Sequence, residues 1–178
     1  MSELRTNRIV PRDGLVSGTG IGGGIIQVKS TTKTDTFSDN SGNFVDVTGL
    51  SVSITPTRSD SKILILSSVN VCQTNDYFLY LKLIRDSTPI FVGDAAGTRA
   101  RVSGMFYIGT SSGNEGTAQT VSITHMDEPS TISATTYKIQ IQAYSGGTAY
   151  VNRTHRDTND AGYDGRFASS ITAMEVSG

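Results

Sequence analysis

Apolar residues recur along this chain with a period of two, interrupted by clusters of Gly, Pro, Ser, Asn and Asp. That is the mark of short β-strands joined by turns. In "TTYKIQIQAYS", Tyr137, Ile139, Ile141 and Ala143 alternate with Lys138, Gln140 and Gln142, as in a strand with one face in a core. "DYFLYLKLIRDSTPIFVG" places Tyr77, Leu79, Leu81 and Leu83 on one face and Phe78 and Tyr80 on the other, with a tight turn at "RDSTP". "KILILSSVNVCQ" is apolar in both phases, the pattern of a strand covered on both sides. In "FVDVTGLSVSITP", Val45 and Val47 share one phase, and Leu50, Val52 and Ile54 share the other. The change falls at Gly49, which predicts a β-bulge. "RARVSGMFYIG", "TAQTVSITHM" and "SSITAMEV" complete the set, and no segment carries a helical period.

Eight or more strands with turn clusters between them predict an all-β fold: an antiparallel two-sheet sandwich of jelly-roll type. The final strand, "SSITAMEV", is expected in mid-sheet, where it closes the fold. Apolar residues on both faces of the "ILILSSVNVC" and "DYFLYLKLI" strands exceed what one core requires, so the second faces predict contact between subunits.

The first stretch reads differently. Residues 1–23 divide into "LRTNRIVPRDG" and "LVSGTGIGGG", an extended arm and a glycine hinge with little to bury. Ordering such a segment costs roughly 1–2 kcal/mol per residue, which predicts that something outside the domain orders it. The division expected is therefore an arm over 1–23 and a sandwich head over 24–178. Gly18, Gly20 and Gly23 fit G-x-G-x-x-G, but "IIQVKSTTKTDTF" after them has no helical period, so a dinucleotide fingerprint is not expected.

Composition narrows the function classes. The 178 residues contain 19 Gly, no Trp and only 17% charged residues, a balance that suits turns and strands. A net charge of −1 supplies no field to attract nucleic acid or an anionic membrane, and no apolar run approaches the ~20 residues that span a bilayer. A soluble protein, folded in a cytoplasm, is expected. The single cysteine, Cys72, falls in a strand and reads as a small core residue.

Four segments, "LRTNRIVPRDGL", "GGGIIQVKSTTKTDTFS", "FVDVTGLSVSITPTRSDSKILI" and the terminal "SSITAMEVSG", together resemble a group of short structural proteins of bacteriophages, especially those infecting cyanobacteria and other aquatic bacteria. The resemblance covers nearly the whole chain. It implies a tail-fibre or virion structural protein with a homotrimeric β-sandwich head, located in the virion after assembly in the bacterial cytoplasm. It also implies an arm that docks on other virion proteins, and Leu4, Arg5, Asn7, Ile9, Val10 and Pro11 are the candidate docking residues. No catalytic motif accompanies the group.

Candidate chemistry points the same way. His125 and His155 are the only histidines, too few for a multi-histidine metal site within one chain. Asp157, Asn159, Asp160 and Asp164 could offer oxygens to Ca²⁺, yet Ala161 and Ala168 stand where the calcium-loop template needs ligands. Asp127 and Glu128 are adjacent and, if extended, point apart, which does not suit paired carboxylate catalysis of glycan hydrolysis. Neither an enzyme nor a cofactor is expected, and "NRT" at Asn152 matches a glycosylation acceptor only by pattern.

The longest stretch after Ile25 without a strand pattern is "YVNRTHRDTNDAGYDGRF", read as a mobile loop at the free end of the head. Tyr150, Arg153, His155, Arg156, Tyr163 and Arg166 make it a candidate receptor-contact loop, because sugar-binding surfaces combine stacking rings with planar polar groups. The same loop could instead pack on the next subunit. Three functions remain open: a tail-fibre or receptor-binding module contacting a host surface glycan, a capsid decoration or head-fibre protein, and a glycan depolymerase.

Overall fold

The computed structural model describes residues 24–74, 78–107, 117–160, 162 and 164–177. The arm over 1–23, its glycines, Tyr77 and Tyr163 lie outside the described residues. Among the described residues eleven strands run in the order β1 (Ile25–Lys33), β2 (Phe37–Asp39), β3 (Val45–Ile54), β4 (Lys62–Gln73), β5 (Phe78–Arg85), β6 (Thr88–Ile90), β7 (Gly104–Tyr107), β8 (Gln119–Asp127), β9 (Thr135–Ala143), β10 (Ala149–Val151) and β11 (Ser169–Val176). No helix occurs among the described residues.

Two antiparallel sheets face one another. In sheet A, β1, β11, β4 and β8 lie side by side, with β2 and β10 continuing the lines of β1 and β11. Sheet B has the order β3, β9, β5 and then β6 and β7, which share the far edge of β5. The orders β1-β11-β4-β8 and β3-β9-β5-β7 are those of an eight-stranded jelly roll, as the alternation predicts. The last strand is central, between β1 and β4, as expected.

The core follows from the inward phase of each strand. Ile63, Ile65, Val69 and Val71 of β4 meet Leu79, Leu81 and Leu83 of β5 and Tyr137, Ile139 and Ile141 of β9, all fully buried. Each such side chain contributes ~1.5–3 kcal/mol on leaving water. The bulge in β3 is present: pairing with β9 shifts between Asp46 and Ser51, and Gly49 has φ 81°. Glycine enters that left-handed region without the Cβ penalty. The shift turns Val47 and Leu50 to the same side, and both are buried.

Strand direction defines two ends. At the lower end the chain enters at Gly24, whose carbonyl accepts the amide of Ser177, so entry and exit adjoin. The β3–β4, β5–β6 and β8–β9 connections lie there too. The upper end carries the β2–β3 and β9–β10 connections, together with the last residues of β4 and β7. Twelve-residue β4 spans about 40 Å between them.

Candidate functional site

The loop over 152–168 leaves sheet A between β10 and β11 and returns to the same place. Its root is Asn152, fully buried with φ 63°. Its amide nitrogen donates to the carbonyls of Lys33 at 2.8 Å and Asp35 at 3.0 Å, and its Oδ1 accepts Ser169 Oγ at 2.6 Å. The Phe167 amide donates to Asn152 O, closing the loop on its own base. The glycosylation pattern thus falls on an interior asparagine.

The sequence predicted a mobile loop; in the structure its described residues are stapled to one another by ion pairs. Arg156 forks onto Asp164, Nε and Nη2 each 3.0 Å from a carboxylate oxygen. Asp164 also accepts the Thr158 amide and the Thr154 hydroxyl, and these donors, Arg156 foremost, hold its carboxyl well below the ordinary range. Arg166 forks onto Asp157 at 2.6 and 2.7 Å, and Arg153 Nε lies 3.4 Å from the same carboxylate. Of the three aspartates read as possible cation ligands, Asp157 and Asp164 are engaged by arginines. The physical reason is spacing along a closed loop, which brings basic and acidic residues eight or nine positions apart face to face.

Of the six residues singled out in this loop, three meet at its root. Tyr150, in β10, stacks on His155 with ring centroids 5.9 Å apart, and the Arg153 guanidinium sits 4.5 Å from the Tyr150 ring centre. Arg153 also donates to the carbonyls of Thr154 and His155. This group covers Cys72, which pairs with Tyr150 and is buried, its thiol pKa raised by desolvation. The cysteine is a buried member of the hydrophobic cluster, as the sequence predicted, with the loop root over its outer side. Arg156 and Arg166 lie farther along, in their ion pairs.

A second surface was only half visible in the sequence. On the outer face of sheet B, Phe78 lies 5.2 Å from Tyr107 and 6.4 Å from Tyr80, and Tyr80 lies 5.5 Å from Tyr144. Tyr107 and Tyr144 are 53% and 48% exposed, and Met105 beside them is 55% exposed. Below the rings, Lys82 Nζ stands 3.6 Å over the Phe44 ring. Gln140 donates to Asp46 and Gln142 to the carbonyl of Gly42, which orients both amides along β9. The alternation exposed Phe78 and Tyr80, but Tyr107 and Tyr144 reach them only through strand pairing: Phe78 opposes Tyr107, and Tyr144 N donates to Phe78 O.

The interior acids have structural partners. Asp127 accepts Tyr137 Oη at 2.7 Å and Arg85 Nη1 at 2.9 Å, while neighbouring Glu128 pairs outside with Lys62 at 2.8 Å. The two carboxylates point apart, as adjacency in a strand predicted. Burial, then the hydrogen bond to Asp127, pushes the Tyr137 phenol up. His125 stacks on Phe91 at 4.9 Å, away from His155 on its own element. Among the described residues no group of three His, Cys, Asp or Glu side chains is placed to hold a metal ion. No helix there is long and apolar enough to cross a membrane.

No protein-family model matches the chain, and no curated protein does. Among solved structures it is similar to a chain in the structure of infectious bursal disease virus, Gx strain, at 16% identity and a TM-score of 0.36. The match covers 85% of this chain and 40% of that one, so this chain spans well under half the length of its neighbour.

Proposed function

We propose that the chain is a non-enzymatic structural protein of a bacteriophage virion, a homotrimeric tail-fibre or receptor-binding module held to the particle by residues 1–23. The observation that carries this reading is the polarity of the head. Residue 24, where the arm joins, sits at one end, and the exposed rings of Tyr107 and Tyr144 sit at the other, about a strand length away. A module built this way presents one end to the particle and the other to a partner. The bacteriophage resemblance of the sequence supports the same assignment. Repeated copies then give firm attachment from weak individual contacts.

The trimer draws on the outer face of sheet A. Val28, Met174, Leu64 and Met126 stand in register across β1, β11, β4 and β8, an apolar row spanning the sheet. The next rows are Ser30, Thr172, Leu66 and Thr124, then Thr32, Ser170, Ser68 and Ser122. All twelve positions are uncharged, and a desolvated contact between copies favours that composition.

Quantified protein bands and antibody labelling of purified particles test the reading. Tens of copies on the tail are expected, with loss of incorporation when residues 1–23 are deleted and the head remains folded. Hundreds of copies on the shell would replace the fibre assignment with capsid decoration, and absence from particles would overturn both.

A further inference from the structure

The outer face of sheet B combines three features that no copy–copy contact requires. Its rings are tilted by 47° and 49° at the Phe78–Tyr107 and Tyr80–Tyr144 contacts, and Tyr107 and Tyr144 are half exposed. Along β9, beside these rings, two carboxamides are held in place by Asp46 and Gly42. The third feature is charge. Asp46 is the one acid at the outward positions of these strands, and Lys138 occupies it at 2.6 Å. Among the described residues Lys82 has no such carboxylate. Desolvation, and then the nearby positive charge of Arg101, lower its pKa. Arg101 stands two residues before Ser103, whose amide donates to Leu81 O on the edge of β5, and its Nε donates to Gly93 O at 2.7 Å.

We propose that this face binds an acidic saccharide, with the rings of Tyr144, Tyr80 and Tyr107 stacking on the apolar side of the sugar and Lys82 and Arg101 pairing with its carboxylate. Tyrosine offers an apolar face and a hydroxyl at low entropic cost, which suits pyranose rings, and the fixed amides of Gln140 and Gln142 suit vicinal hydroxyls. Charge complementarity selects an acidic sugar over a neutral one. A nucleic-acid strand, which also stacks on rings, needs a basic groove that follows several phosphates. Two cations on a chain of net charge −1 do not make one. The proposal rests on the attachment reading only for the source of the sugar, a host surface glycan.

Calorimetric titration of the full chain tests it. The acidic probes are hexamers of galacturonate and of mannuronate and sialyllactose; maltohexaose and a single-stranded oligothymidylate serve as comparisons. At least one acidic probe is expected to bind about tenfold or more tightly than maltohexaose. Tyr144→Ala and Lys82→Gln should each weaken that binding about tenfold, with melting temperature and mass unchanged, and Tyr144→Phe should restore most of it. The proposal is overturned if no acidic probe binds at millimolar concentration, if maltohexaose binds equally, or if oligothymidylate binds best. It is also overturned if Tyr144→Ala changes the mass in light scattering, because the face then belongs to a copy–copy contact. Binding as described by a protein absent from particles would remove the virion reading and leave the site. Particles that carry the protein but bind no acidic probe would remove the site and leave the virion reading.

Discussion

The two outer faces of the sandwich are built on the same jelly-roll frame and differ in every property that governs recognition. Sheet A presents aliphatic, methionine and hydroxyl side chains without a charge in three successive rows. Sheet B presents a cluster of rings beside fixed amides and a lysine. Upper sheet A is also roofed by the stapled loop, whereas Tyr107 and Tyr144 are half open to water. The contrast teaches that apolar outward positions are not one signal. A charge-free aliphatic row suits a like surface, because nothing in it needs water. Tilted rings with polar neighbours suit a ligand that is apolar on one side and hydroxylated on the other.

The largest expected effect comes from placing the same charge on each face. Leu64→Glu puts a carboxylate in the middle of the sheet A row, and desolvating it against a second copy costs several kcal/mol. The trimer should fall to a monomer in light scattering, with the circular dichroism of a folded head. Met105→Glu on sheet B should leave the trimer mass intact. If both variants stay trimeric, sheet A is not the interface; if Met105→Glu alone dissociates, the roles of the faces are reversed.

Removing the roof of sheet A is the next test. Asn152→Ala deprives the carbonyls of Lys33 and Asp35 and the Ser169 hydroxyl of their partner and leaves a non-glycine residue at positive φ without a side-chain amide. A loss of about 3 kcal/mol in denaturant unfolding is expected. Cys72, now screened by the loop root, should react faster with a thiol reagent in the variant than in the parent. A parent thiol that already reacts at the rate of an exposed cysteine would show that the loop does not cover this part of the sheet.

Salt separates the faces more gently. Raising ionic strength to about 0.5 M screens a lysine–carboxylate pair at a surface, so acidic saccharide binding on sheet B should weaken several-fold. The sheet A contact has no charge to screen in its central rows, and the trimer should persist. Light scattering and calorimetry on one sample read both. Binding that is indifferent to salt would mean the cations take no part.

How much of this could be read beforehand depends on whether the signal lies within a strand or between strands. The phase of β9, the inward leucines of β5 and the Gly49 bulge follow from local alternation, and the structure has them. Residues 37–39 and 149–151 gave no pattern, because three-residue strands are too short to alternate. The stapled loop was missed for a related reason: Arg156–Asp164 and Arg166–Asp157 form only once both loop ends are fixed by Asn152 and Ser169. "KILILSSVNVCQ" is more instructive. Its two apolar phases were correctly seen, but the cover over Cys72 is a loop about eighty residues later, while Leu64 and Leu66 remain half open. Likewise Tyr107 and Tyr144 become neighbours of Phe78 and Tyr80 through register, which a single sequence does not contain.

The smallest expected effect concerns Glu175, which lies on the inward phase of β11 directly beside outward Met174. It is fully buried, no cation stands against it among the described residues, and its charge is held by neutral donors. Gln27 Nε2 reaches Oε2 at 2.6 Å, and the Thr57 amide, Thr57 Oγ1 and Ser61 Oγ each reach Oε1 at 2.7 Å. Burial raises its pKa, and these hydrogen bonds together outweigh burial, leaving the folded value below the ordinary 4.5. A group whose folded pKa is depressed contributes stability above its unfolded pKa and loses it as pH falls through the folded one. The melting temperature should therefore be level from neutrality down to about pH 5 and decline below about pH 4.5. Part of that decline belongs to Asp46 and Asp164, whose pKa values are lowered as well. Glu175→Gln should melt a few degrees lower at pH 7 and show a shallower acid decline, since the titrating group is gone while the other acids remain. Because Glu175 anchors the lower end of β11, where Met174 joins the apolar row, acid should dissociate the parent trimer before it unfolds the head. Coincident loss of trimer and fold, with the same slope in parent and variant, would show that Glu175 supports neither the strand end nor the face built on it.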